Sequence, residues 1–252
     1  MPENDRHMIR AAILTSARSG SNLLVSLLNS HPEFLFHGEV FNKHKVHTFR
    51  PSHIMSQLLD IDATELRNRD PVRFLETIYA LSPTHLTTIG FKMFLTHHAG
   101  VLNRMMQQDD MRIVFHERRN RLASYSSMMI AAATGVYWMK GEDADGAAKE
   151  KIRISFDSDD FDRYVGMLDD WYAAAEERLI ARGNFLRTEY AELQSPETLH
   201  ALAEFLGAQT RFEMKPAIVK QNHSNPLDRF DNPEAAVAHM ERIGRTEWLG
   251  EG

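Results

Sequence analysis

The chain has 252 residues, and its 29 Lys plus Arg against 35 Asp plus Glu leave a net charge of −6 with histidine neutral. With 43% hydrophobic residues and no cysteine, it can bury a large core without staples. That excludes a disordered chain, a disulfide scaffold, thiolate catalysis and Cys-built metal sites. The acidic balance argues against a nucleic-acid partner or an anionic membrane surface. It leaves room for a small anion held in a local basic pocket.

The elements follow in chain order. Residues 1–8 read as a polar tail with no signal-peptide pattern. No apolar run approaches the roughly 20 residues of a transmembrane helix, so a cytoplasmic protein is expected. Ile9 to Thr15 is a buried strand that runs into the small-residue loop "TSARSGSN". Leu23, Leu24, Leu27 and Leu28 then recur at helical spacing, to about Ser30. Phe34 to Phe36 is a second short strand, and residues 50–81 are mostly helical, punctuated by Pro51 and Pro71. Strands follow over Thr87–Leu95 and Arg112–His116, then a helix over about 121–134.

Residues 140–158 lack periodicity and read as a mobile loop. Phe161–Ala181 is a long helix and Asn184–Arg187 a short strand. Ser195-Pro196-Glu197 starts a helix that ends at Gly207, and Asn232-Pro233-Glu234 starts a last one. Strands alternating with helices predict one α/β domain over residues 1–252, with a mainly parallel central sheet covered on both faces.

The loop Thr15–Asn22 carries the chemistry. A tight turn opening a helix presents backbone N–H groups to an anion. Gly20 permits close approach, Ser19, Ser21 and Asn22 offer donors, and Arg18 adds a forked cation. A Walker A loop is excluded: no glycine stands five residues before Gly20 and no lysine follows it. That disfavours a kinase of a small metabolite, one alternative reading. A silent nucleotide-binding module is the other.

"ILTSARSGSNLLVSLLNSHP" resembles the 5′-phosphosulfate segment of sulfotransferases that use 3′-phosphoadenosine 5′-phosphosulfate (PAPS). Arg18, Ser19, Gly20, Ser21, Asn22 and Leu24 fit the motif, and Ala17 replaces its usual proline. "RIVFHERRNRLASYSSMMIAAATGVY" resembles the family's 3′-phosphate segment, in which an arginine at a strand end works with a serine eight or nine residues on. Either Arg118 or Arg119 satisfies that spacing with Ser127. "FLRTEY" with "SPETLHALAEFLG", and "VKQNHSNPLDRFDNPEAA", match later landmarks. In the last of these Lys220, or Gln221, would close over the nucleotide. "TGVY" is similar to the bacterial trehalose and nodulation-factor type.

The resemblance implies a P-loop-like sulfotransferase fold, PAPS as co-substrate, no metal, and a small-molecule or saccharide acceptor. Homo-oligomers remain open. It points to Arg18 as the stabiliser of the leaving phosphate and to Glu39, in "FHGEVFN", as the acceptor's base. A sulfate beside it would raise the Glu39 pKa. His37 stands second as base, with His97 and His98 third. Lys92 in "GFKMF" matches a strand of the bacterial relatives and is expected to face the active-site end. Trp171 and Tyr172 read as packing residues, and loops 42–70 and 135–160 as the acceptor's surroundings.

Overall fold

The computed structural model describes residues 8–48, 62–80, 85–135, 152–217 and 225–250. Five strands form one sheet: β1 (Ile9–Thr15), β2 (Phe34–Glu39), β3 (Thr88–Phe94), β4 (Arg112–Glu117) and β5 (Phe185–Glu189). The order is β2-β3-β1-β4-β5, and every neighbouring pair is parallel. The chain leaves β1 toward one edge of the sheet and, after β3, crosses to the other. Ligands of such sheets bind at the carboxyl ends of the strands beside this reversal. In this chain that position belongs to the Thr15–Asn22 loop.

Strand residues divide by period 2 between two cores. Ala12 and Leu14 of β1 join Phe91, Met93 and Phe115 on one face. That face is covered by α2 (Ala63–Arg69), α3 (Pro71–Ala80), α4 (Ala99–Met106) and α6 (Ser158–Arg182). Ala11 and Ile13 face the other way, against α1 (Ser21–Ser30) and α7 (Pro196–Phe205). A third cluster joins Leu122 and Tyr125 of α5 (Arg121–Thr134) to Phe156, Phe161, Phe230 and α8 (Pro233–Arg242).

Several boundaries differ from the expectation. The second strand continues past Phe36 to Glu39, with a register shift between His37 and Glu39. A bulge adds a residue and re-aims the side chains beyond it, and here it sets Glu39 opposite Lys92. The long helix starts at Ser158, capped by Asp157, whose side chain accepts from the Asp160 N–H. Residues 152–158, expected as the end of a mobile loop, are fastened instead. Ile154 bridges to Phe230, and the Phe156 N–H donates to the Asn232 side chain at 2.7 Å.

Helix α4 has no counterpart in the sequence reading. It is short, and its cap is His98, whose Nδ1 accepts from the Val101 N–H at 3.2 Å. Residues 49–61, 140–151 and Lys220, and residues 1–7 of the expected tail, lie outside the described residues. Among the described residues no helix is long and apolar enough to cross a membrane.

Gly90 pairs in register with Phe36, whose ring occupies the space a side chain would take. A Cβ built there would lie 2.3 Å from Phe36 Cε1. Gly90→Ala should therefore destabilise the fold by about 1–3 kcal/mol through overpacking, read as a lower urea midpoint with an unchanged slope.

Candidate active site

The β1–α1 loop is held from beneath. The hydroxyl of Tyr172, on α6, accepts from the Ser16 N–H at 3.1 Å and lies 2.9 Å from Ser16 Oγ and 3.1 Å from the His116 carbonyl oxygen. His116 on β4 is fully buried, with Nε2 3.1 Å from the Ser19 carbonyl oxygen and Nδ1 3.0 Å from Thr188 Oγ1. Burial pushes its pKa down to about 4, so the ring is neutral. Its Nε2–H then donates to Ser19 and its Nδ1 accepts from Thr188. Tyr172 and His116 thus fix the loop from two strand ends and one helix.

The loop's own residues then divide by role. The Ser19 side chain turns inward, donating to the Ser16 carbonyl at 2.9 Å and accepting from Thr15 Oγ1 at 2.8 Å. The hydroxyl that the sequence offers as a ligand donor here closes the turn. Arg18 has a positive φ of 60° and Gly20 one of 84°. Left-handed backbone costs a non-glycine residue about 1 kcal/mol, and here it turns Arg18 toward α5. Its Nε donates to Ser127 Oγ at 2.9 Å. The two segments singled out for opposite phosphates of one nucleotide therefore meet in a single hydrogen bond. Gly20 is required twice over, by its φ and by Tyr190, whose Cδ2 would stand 2.1 Å from an added Cβ. Helix α1 begins at Ser21 with no side-chain cap and no acidic residue in its first turn. Its positive end is therefore left to whatever lies in front of the loop.

Sequence could not choose between Arg118 and Arg119, and the structure places them differently. The Arg118 guanidinium is buried and stacks 4.4 Å from the Tyr190 ring centre. Arg119 is turned outward, its side chain 63% exposed and its Nε 3.7 Å from Glu117. Arg121, counted in the same basic cluster, is answered within the fold by Glu117 at 3.3 Å and Asp169 at 2.9 Å. The cluster "HERRNR" thus divides into two buried arginines, Arg118 and Arg121, and the exposed Arg119.

A third arginine completes the group. Arg229, which the sequence reading passed over, is buried and donates through Nη1 to Ala123 O and Ser126 Oγ, each at 3.0 Å. Burial pushes its pKa down to about 10, helped by the positive charges of Arg118 and Arg18 against an opposing pull from Tyr190. Burial likewise lowers the pKa of Arg118. Three cations share one buried locality beside Ser127, and like charges gathered out of water are an arrangement suited to a polyanion. The segment "NPLDRF" had been marked as a nucleotide-covering region. Only the residue within it was missed, since a lone arginine before a phenylalanine has no distinguishing pattern.

A second polar group stands at the ends of β2 and β3. Lys92, fully enclosed, lies 2.9 Å from Glu39 Oε1 and donates to Asn22 Oδ1 at 2.6 Å. Asn42 donates to Glu39 Oε2 at 2.9 Å, and His97 Nε2 lies 3.7 Å from the same oxygen. Lys92 therefore ties the candidate base to the nucleotide loop. Sequence analysis expects a raised Glu39 pKa from a neighbouring sulfate, but the fold gives the carboxylate its own cation. Burial pushes its pKa up, but Lys92, Asn42 and His97 together hold it below the usual carboxylate range. Burial pushes the Lys92 pKa down against the pull of Glu39.

His37 is 0% exposed, and burial pushes its pKa to about 4. It is neutral, but it lies inside the sheet end rather than facing an acceptor. His97 is also lowered to about 4 by burial, against the pull of Glu39. His98 is used as the cap of α4. Among these candidates, Glu39 combines partial exposure with contact to the loop through Lys92 and Asn22.

No family model matches the chain. In sequence it is similar to nodulation protein H of Rhizobium tropici, at 24% identity over 215 residues that make up 83% of this chain and 80% of that one. Among solved structures it is similar to a sulfotransferase from Alicyclobacillus acidocaldarius, at 14% identity over 96% of this chain and 95% of that one, with a TM-score of 0.46. It is also similar to retinol dehydratase in a complex with retinol and PAP, at 14% identity over 94% and 80%, with a TM-score of 0.45.

The pairing of Glu39 with Lys92 has a consequence for acid stability. A carboxyl lowered in the folded state stabilises the fold above its unfolded pKa, and the contribution is lost as pH falls through the folded value. Urea titrations from about pH 6 to about pH 3 should show a steeper loss of stability for the wild type than for Glu39→Gln. At neutral pH the same variant should cost about 1–3 kcal/mol, because Lys92 loses its charged partner.

Proposed function

We propose that this chain is a PAPS-dependent sulfotransferase that moves a sulfuryl group to a hydroxyl of a small-molecule acceptor. The observation that carries the reading is the Arg18–Ser127 hydrogen bond within the group formed by Arg18, Arg118 and Arg229. It unites the two segments that the sequence assigns to the 5′ and 3′ ends of one nucleotide. The fit to PAPS is supported by the crowding of these cations and by the uncapped start of α1.

In this reading the backbone of Ser19–Asn22 and the start of α1 hold the 5′-phosphosulfate, while Arg118, Arg229 and Ser127 hold the 3′-phosphate. The bound co-substrate supplies an activated sulfuryl group on a good phosphate leaving group. Arg18, bonded to Ser127, would neutralise charge that grows on the leaving phosphate. Glu39 accepts the acceptor's proton. Lys92, within 2.9 Å of Glu39 and 2.6 Å of Asn22, positions the base against the loop. The balance is simple: an S–O bond to the acceptor forms and the S–O bond to the 5′-phosphate breaks. The proton goes to Glu39 and the electron pair to the phosphate. Positioning and charge neutralisation dominate such a transfer, as in phosphoryl transfer.

The sequence resemblance to the bacterial trehalose and nodulation-factor type keeps a saccharide acceptor as one member of the class. Arg119, Lys220, Ser21 and His37 retain the roles that the sequence resemblance gives them only as weaker members of the set. Arg119 faces outward, and Lys220 lies outside the described residues.

Incubation with PAPS and an acceptor panel should give a sulfated product and adenosine 3′,5′-bisphosphate in equal amounts, read by mass spectrometry. Arg18→Ala should lower kcat/KM by about a thousandfold, the size expected for loss of a charge-stabilising group. Glu39→Gln should reduce kcat while leaving nucleotide affinity nearly unchanged. Equal losses in both for Glu39→Gln would make Glu39 structural. Transfer that needs ATP and Mg²⁺ in place of PAPS would overturn the reading.

A further inference from the structure

A cavity of about 200 Å³ opens beside the arginine group and is lined on its described wall by Ala17, Phe94, Leu95, Met128, Tyr164 and Trp171, among others. Its position is set by its chain neighbours. Ala17 immediately precedes Arg18, and Met128 immediately follows Ser127. Phe94 lies with its ring centre 5.2 Å from Lys92 Nζ and 4.6 Å from the His97 ring. The cavity therefore lies between the nucleotide loop and the group around Glu39, where an acceptor has to sit.

The chemistry of this wall is mostly apolar. A cavity of about 150 Å³ lined by aliphatic and aromatic side chains takes a benzene ring and stays dry. A bare sugar ring placed there would leave several hydroxyls without partners, at a cost for each. Ser16, Thr96 and Tyr164 interrupt the wall with polar groups, and the Ser16 hydroxyl is already bonded to Tyr172. The Tyr164 hydroxyl oxygen is buried and has no hydrogen-bond partner among the described residues. Burial raises its pKa, against the opposing charges of Arg121, Arg118 and Arg18, so the hydroxyl keeps its proton and can donate it to a hydrogen bond. A buried donor without a partner costs stability unless a ligand completes it.

We infer that the cavity binds an aromatic or branched aliphatic group of the acceptor, and that Tyr164 donates a hydrogen bond to the acceptor's nucleophilic oxygen. The preferred acceptor is then a phenol or an alcohol carried on such a group, rather than a bare saccharide. This rests on the sulfotransferase reading and narrows its substrate class. Tyr164 aligns the oxygen for attack on sulfur, and its own proton stays in place. The acceptor's proton goes to Glu39, as above.

The test uses the full chain, with 2-naphthol and cyclohexylmethanol set against trehalose and a chitin oligomer. Calorimetry first measures adenosine 3′,5′-bisphosphate alone; failure of this nucleotide to bind would remove the sulfotransferase reading itself. With the nucleotide bound, 2-naphthol should bind and should be sulfated with a kcat/KM at least tenfold above either saccharide, the scale set by one good apolar contact. Trp171→Ala should raise the KM for 2-naphthol about tenfold and leave the KM for PAPS unchanged. Because Trp171 also packs against the core, Met128→Gln serves as a second variant with the same expected pattern. Tyr164→Phe should lower kcat for 2-naphthol with little change in its KM. Nucleotide binding without any binding of 2-naphthol, preferential transfer to a saccharide, or unchanged KM values in both wall variants would overturn the inference.

Discussion

The structure depends on the cost of keeping Arg18, Arg118 and Arg229 together out of water. Arg118 and Arg229 lose solvation, and the charges of Arg118 and Arg18 bear on Arg229. Such a group persists only when the surrounding fold over-determines it. The framework is visible. Tyr172 and His116 hold the loop that carries Arg18. Ser126 and Ala123 hold Arg229 from α5, and the Tyr190 ring supports Arg118. Strands β1 and β4, paired at the centre of the sheet, bring these parts to one end. A strongly anionic ligand would repay this cost on binding, which is why a chain of net charge −6 suits an anionic nucleotide.

The neighbouring charges show the opposite design. Arg121, Arg187 and Arg119 all approach Glu117, so most of the basic run after β4 is neutralised within the protein. The Glu39–Lys92 pair follows the same logic at the other side of the site. The Glu39 carboxylate is kept ionised by a buried lysine, and that lysine also holds the side chain of Asn22. Charge at this end of the sheet is thus divided between groups answered internally and groups turned toward the loop.

Much of this was legible in the sequence. The strand–loop–helix unit around "TSARSGSN" and the 121–134 helix were placed by apolar periodicity and by small residues at the turn. The parallel order followed from alternation of strand and helix. Three features were not legible, for physical reasons. The bulge at Gly38 depends on pairing with β3 and leaves no local periodicity. The inward turn of Ser19 depends on Thr15 and the Ser16 carbonyl, and short-range bonds of that kind compete invisibly with ligand contacts. Arg229 and His116 owe their roles to partners about a hundred residues away, at 106 and 97 positions.

In the proposed function the arginine group recognises a nucleotide by its second phosphate. Calorimetric titration of the intact chain with adenosine 3′,5′-bisphosphate and with AMP tests it most directly, because the two ligands differ only at the 3′ position. The account predicts at least about a hundredfold tighter binding of the bisphosphate, in keeping with a buried, charge-assisted phosphate contact. It also predicts loss of that preference in Arg118→Ala and in Arg229→Ala. Equal affinity for the two nucleotides would contradict it.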